Sequence, residues 1–431
     1  MTPILLTLAV LTFIMIGVMV AVAAGLAAII GGTLVFGDPF GTRIPMMISR
    51  LSIDRIDNFL LLAIPFFILA GRLMNTGGVT ERLFAFIATL MRPLRGGLGH
   101  ANVMASFVFA GMSGSATADV AGLGAVEMKA MRANHYPESF SAGVTAATSL
   151  LGPVLPPSIV LIAYAVQAEQ SVATLFLAAI VPGIMLALAF MAWVALQSIR
   201  HNLPRGDMPS IKELRRTGLH AFLPILTPGI ILVGIYAGIF TPTEAAAIAV
   251  LYAFTLTKFV YRELTWNELI DQLKGTALDT ATLMFIIAMT SAFGVIALRL
   301  GLPQALVSTV LGISHNPTIV LYLLLVVWVI IGCFMAQTPA IIILTPILLP
   351  VAQQVGIDLI HFGIVMAMGL TIGLLTPPVG MVLYALNKVA YVPLGTLFRV
   401  SFPYVLIALS VICLLVMFPG LVTALPYGLG L

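Results

Sequence analysis

The chain has 431 residues, 61% of them hydrophobic and 8% charged, with a formal net charge of +4 and a mean hydropathy of +1.13. Soluble domains carry about a quarter of charged residues, so this composition excludes a soluble globular protein, and a small, scattered positive charge gives no nucleic-acid footprint. Near-continuous apolar segments without strand-like alternation exclude a β-barrel and predict an all-α polytopic membrane protein.

The first seventeen residues lack a basic flank, so they read as a retained helix rather than a cleaved signal. Scaffold helices are expected over 1–75. The loop 37–58 carries three arginines balanced by Asp38, Asp54 and Asp57, and is placed outside. The segment Val79–Met91 is too short to span and is flanked by Arg72, Arg82, Arg92 and Arg95. It reads as an interfacial arm on the cytoplasmic side.

A helical hairpin is expected over about 100–131, because Ser113-Gly114-Ser115 separates two apolar runs of hairpin rather than spanning length. A discontinuous helix follows over about 138–168, broken at Pro156-Pro157. Proline has no N–H donor and clashes with the preceding turn, although two prolines also suit the first turn of the following half-helix. Residues 199–217, with Arg200, Arg205, Lys212, Arg215 and Arg216, read as a cytoplasmic linker between two halves, 1–198 and 218–431.

The second half repeats the pattern. Scaffold helices are expected over 221–297, an outer arm over Leu302–Ile313, a hairpin over about 317–355 with Gln337-Thr338-Pro339 at its tip, and a helix over about 358–388 broken at Pro377-Pro378. Equivalent positions (Met112 and Met335, Gly152 and Gly373, Pro156 and Pro377, Tyr164 and Tyr384, Thr174 and Thr396) lie 220 to 223 apart. Arms on opposite sides of the membrane make the repeats inverted, a common transporter design, and put both termini on the periplasmic side. Thr241, Pro242 and Glu244 form a capping box, read as a scaffold helix start rather than a site.

Irregular backbone at membrane depth is tolerated only where it is buried in protein or lines a cavity. The four breaks should therefore converge. Free carbonyls at half-helix C-termini suit a small hard cation, and free N–H groups at N-termini suit a carboxylate. Ser113, Ser115, Thr145, Thr148 and Ser149 on one side, with Thr338, Thr371 and Thr376 on the other, supply the oxygens that Na⁺ takes. A lone hydroxyl in a membrane helix ordinarily bonds back to the preceding turn; it is the repetition that carries the reading. Asp119 admits two readings, an intramembrane functional acid or a helix-end cap.

Six scattered histidines, none paired at i, i+4, and the absence of CxxC, HExxH, GxSxG and Walker stretches leave no enzyme signature, no cofactor and no transition-metal site. Cys333 and Cys413 read as small buried hydrophobes.

The stretches "IPFFILAGRLMNTGG" (64–78), "SGSATADVAG" (113–122), "LGPVLPPSI" (151–159), "GIFTPTEAAAIAVLYA" (238–253) and "GLLTPPVG" (373–380) resemble, in order and over essentially the whole chain, the large membrane subunit of tripartite ATP-independent periplasmic (TRAP) transporters. The resemblance implies an elevator-type carrier of the ion-transporter superfamily, in the bacterial inner membrane. It implies import of an organic acid anion coupled to Na⁺, with a periplasmic substrate-binding protein and a small four-helix membrane subunit as partners. It implies one cation site at Ser113, Gly114 and Ser115 with Gly152 and Pro156, and a second at Gln337 and Thr338 with Gly373, Thr376 and Pro377. Substrate is expected near Ser115, Asp119, Thr148, Ser149, Ser158, Thr338 and Asn387. Lys388 departs from the small apolar residues expected there, as a substrate contact or a cytoplasmic anchor. The small subunit is expected against the N-terminal pair of helices and 221–259. The alternative is a stand-alone elevator carrier of a dicarboxylate or oxyanion, without a binding protein.

Overall fold

The structure, a computed structural model, describes residues 16–37 and 43–430 together with positions 6, 9, 10 and 12–14. Most of the expected N-terminal helix, and Asp38, lie outside the described residues. Among the described residues there is no β-strand, and nine helical stretches are long and apolar enough to cross a membrane. An all-helical membrane fold is therefore observed.

One group of helices comprises α1 (Val20–Phe36), α2 (Arg43–Ile56), α3 (Ala63–Thr76), α4 (Val79–Met91), α12 (Ile211–Tyr236), α13 (Pro242–Thr255) and α14 (Trp266–Arg299). The 34-residue α14 is its spine, packing against α1, α2 and α3, while α13 packs on α3 and α12 on α4. The capping box at Thr241 is present in both directions. A second one, Thr265 with Glu268, starts α14 about three turns before the apolar run begins in earnest.

The other group holds the broken elements. The first hairpin is α5 (Gly97–Ser113), then α6 (Ala116–Ala121) and α7 (Leu123–Ala133); the first discontinuous helix is α8 (Glu138–Thr148), α9 (Leu151–Val154) and α10 (Ile159–Ala168). Helix α11 (Val172–Arg200) follows. In the second half, α15 (Leu302–Ile313) leads to α16 (Pro317–Phe334) and α17 (Gln337–Val355), then α18 (Leu359–Gly373), α19 (Met381–Ala390), α20 (Leu394–Met417) and α21 (Gly420–Gly428). Each hairpin's first limb packs on its own half's broken helix: α5 on α8 and α9, α16 on α18. The distal half-helices cross over, with α10 against α17 and α19 against α6 and α7.

Four local expectations shift. The segment 37–58, expected as a loop, carries helix α2 (Arg43–Ile56), which packs against α14. The irregular connection between halves is only 201–210, because α11 runs to Arg200 and Ser210 caps α12 by accepting the Glu213 N–H. The second tip is Met335-Ala336, both extended, so that Gln337, Thr338 and Pro339 form the first turn of α17, where a missing N–H costs little. Pro156-Pro157 precedes the following half-helix instead of opening it: Ser158 takes the N-cap, its hydroxyl accepting the Leu161 N–H at 3.2 Å.

The connection 201–210 is stitched to the α4–α5 turn. Arg92 forks onto both carboxylate oxygens of Glu213 at 2.8 Å, and the Gly96 and Gly206 N–H groups donate to the Pro204 and Arg92 carbonyls.

Candidate cation and substrate site

The first tip is built by backbone approach. Gly114 ends α5 in the left-handed region, φ +60°, and a Cβ there would stand 2.7 Å from the Pro157 carbonyl oxygen. From the other side Gly152 closes on the tip: a Cβ on it would meet the Ser115 carbonyl carbon at 3.1 Å. Ser113, Gly114, Ser115, Gly152 and the Pro156-Pro157 break are thus one cluster. The Ser113 hydroxyl is buried there without a protein partner.

The second tip is built the same way. Gly332 and Gly373 touch backbone to backbone, and the Val379 N–H donates to the Cys333 carbonyl at 3.3 Å. The Thr371 hydroxyl donates to Gln337 Oε1 at 3.1 Å, and Thr376 bonds back to Ile372. The two breaks differ in access, since Pro156 and Pro157 are buried whereas Pro377 and Pro378 are exposed. Both Pro-Pro bonds are cis.

Both tips open onto one cavity of about 760 Å³, which Ser113, Gly114, Ser115, Gln337 and Thr338 line from the hairpin side. Its far wall is α3 and α14. Gly71 of α3 sits against the first tip, a Cβ there falling 3.3 Å from Ser113 Cα. Within that wall Arg72 pairs with Asp279 at 2.5 Å.

Other residues expected near substrate lie off the cavity wall. Thr148 and Ser149 bond within the first half, Thr148 to Asn102 Oδ1 at 2.7 Å and Ser149 to the Ala146 carbonyl. Ser158 donates to the Pro153 carbonyl, and Asn387 to the Val392 carbonyl at 2.8 Å. Lys388 is exposed in the last turn of α19. Cys333 and Cys413 are free thiols, the first buried and the second partly so.

Asp119 is buried in the hairpin, one carboxylate oxygen unpartnered. The same hairpin also carries polar contacts absent from the sequence expectations. Asn102 donates to Thr145 Oγ1 at 2.7 Å and accepts from Thr148, and the Ser106 hydroxyl reaches Glu127 Oε1 at 3.5 Å. Asn102 and Glu127 were findable, because a polar side chain inside an apolar hairpin limb is itself a signal. Among the described residues no group of three or more His, Cys, Asp or Glu side chains is placed to hold a metal ion.

Residues 5–421 match the family described as the tripartite ATP-independent periplasmic transporter, DctM component. The chain is 42% identical over 371 residues to the sialic acid TRAP transporter large permease protein SiaM of Vibrio cholerae, covering 86% of this chain and 87% of that one. It is 39% identical to the C4-dicarboxylate TRAP transporter large permease protein DctM of Pseudomonas aeruginosa (87% and 88% covered). It is 35% identical to the 2,3-diketo-L-gulonate TRAP transporter large permease protein YiaN of Escherichia coli (91% and 92%). The crystal structure of the Alcanivorax borkumensis YdaH transporter shares the fold, with a TM-score of 0.61 at 17% identity over 88% of this chain and 90% of that one.

Proposed function

Because the chain belongs to the DctM component family of tripartite ATP-independent periplasmic transporters, we propose that it is the large permease subunit of a Na⁺-driven importer of an organic acid anion. A periplasmic binding protein delivers the substrate, and a small membrane subunit completes the scaffold. The protein is a multi-pass protein of the bacterial inner membrane with both termini periplasmic. The acids in the relatives' names, sialic acid, C4-dicarboxylate and 2,3-diketo-L-gulonate, share a carboxylate, and that group is the substrate feature we assign.

The observation that carries this reading is the meeting of two glycine-backed hairpin tips at one cavity. Free carbonyls and hydroxyls at each tip suit Na⁺, and the N-terminal ends of α6, α10 and α17 suit a carboxylate. Inverted repeats are supported by the 220-to-223-residue offset and by the crossed packing of α10 and α19. On this reading the group of hairpins and broken helices is the moving body of an elevator, and the group around α14 stays fixed.

The test is thermal unfolding of the subunit with its small partner, titrated with Na⁺ against K⁺ at constant ionic strength. A saturable Na⁺-only shift, blunted by Ser115→Ala and by Thr338→Ala, is expected. An equal response to both ions removes the Na⁺ assignment and returns both tips to packing roles. Uptake that persists without a binding protein assigns the stand-alone carrier instead.

A further inference from the structure

Among the described residues that line the cavity, Arg72 and Asp279 are the only charged ones. They come from different helices, α3 and α14, and from positions far apart in the chain, yet meet with Arg72 Nη2 donating to Asp279 Oδ2 at 2.5 Å. Their side chains keep 35% and 49% of their surface accessible, so the pair faces the cavity instead of being sealed in the wall.

The guanidinium is held in a prepared seat. A Cβ on Gly275, one turn before Asp279 on the same face of α14, would fall 2.5 Å from Arg72 Nη1. The group therefore lies close against the α14 backbone at Gly275, at a spot any side chain would fill. Only Nη2 is engaged, and Nε and Nη1 have no partner among the described residues. An arginine fork with open donors, facing a cavity, is the geometry that takes a carboxylate through two parallel hydrogen bonds. Gly71, the preceding residue, touches the tip at Ser113, so this fork stands beside the first candidate cation cluster.

We propose that Arg72 is a carboxylate-binding point on the fixed wall of the cavity, and that Asp279 is the internal carboxylate that occupies it while the cavity is empty. An entering acid exchanges with Asp279, so one charge-assisted contact replaces another. Binding is thereby weakened and release eased, where an unpaired arginine would retain the anion. The assignment of the transported acid to this point rests on the importer reading above; the presence of a masked anion site does not.

The experiment reads the site without transport. In the subunit purified with its small partner, Cys333 and Cys413 are replaced by serine, and Thr282, a cavity-lining residue on α14, by cysteine. The labelling rate with an anionic methanethiosulfonate (sulfonatoethyl) is divided by that with a cationic one (trimethylammonioethyl). Asp279→Asn should raise this ratio about five-fold, the size expected for one charge unmasked several ångströms away at close to bulk-water dielectric, the two reagents responding in opposite senses. Adding Arg72→Gln should abolish the rise. A ratio that stays raised in the double variant overturns the proposal, and so does no rise at all.

A second measurement needs only the Asp279→Asn protein. Succinate should slow the anionic reagent more than chloride does at matched ionic strength. Equal slowing means screening alone and also overturns the proposal. Loss of the Na⁺ shift or of uptake, with the labelling result intact, rejects the importer reading and leaves the site standing.

Discussion

Gly373 of α18 lies so close to Gly332 of α16 that a Cβ on it would stand 2.2 Å from the Gly332 carbonyl carbon. Nothing but hydrogen fits between these backbones. Gly373→Ala must therefore push the second hairpin off its broken helix, at a cost above the about 1–3 kcal/mol typical of overpacking. Gly152→Ala meets the first tip at 3.1 Å and should fall within that range. Thermal unfolding of the two variants, side by side, checks the order; a milder effect at Gly373 contradicts it.

Asn102 makes both of its hydrogen bonds inside the first half, to Thr145 and from Thr148, and is fully buried. Asn102→Ala takes the donor from the Thr145 hydroxyl and leaves the Thr148 hydroxyl only the longer bond to the Thr145 carbonyl at 3.3 Å, at a buried site. The expected loss is about 1–3 kcal/mol per stranded group. Thr148→Val strands one group of the same network and should cost less. The measurement is the midpoint of unfolding for each variant, and equal losses would argue against a shared network.

The cap at Thr241 is exposed and far from the tips in function. Thr241→Ala should lower stability by about 1 kcal/mol and leave uptake per folded molecule unchanged. A comparison of thermal midpoint with uptake normalised to folded protein separates the two effects.

The Arg92–Glu213 fork anchors the short connection 201–210 to the α4–α5 turn. Glu213→Gln keeps the side chain's shape and removes the charge. Trypsin should then cut at Arg200 or Arg205 sooner than in the parent protein, while the helices on either side stay intact. Digestion time courses read this directly.

What the sequence made legible was local. The arms Val79–Met91 and Leu302–Ile313 have the bounds their apolar runs suggest, each entered through a left-handed glycine, Gly78 or Gly301. The Thr241 box was readable because every position of it is written in four consecutive residues, Thr241 to Glu244. The Thr265 box was equally readable, but the polar start of α14 hid a helix behind loop-like composition. The second tip fell two residues early, since Pro339 draws attention as a breaker though it is harmless in a first turn. Arg72 and Asp279 could not be paired by any local rule. Their meeting depends on α3 packing against α14, a tertiary fact, and the polar network around Asn102 depends likewise on how α5 meets α8.

The crossed packing of α10 on α17, and of α19 on α6 and α7, has a consequence for how the chain assembles. Each half lends its distal half-helix to the other, so neither half contains the full set of neighbours its own hairpin needs. Expressed separately and apart, 1–200 and 211–431 should each remain incompletely folded. Produced together, they should find one another, the cut falling in a connection that contributes no half-helix to the exchange. In assembly the chain is thus a single interlocked body written as two sentences, and the earlier one waits on the later for its last contacts.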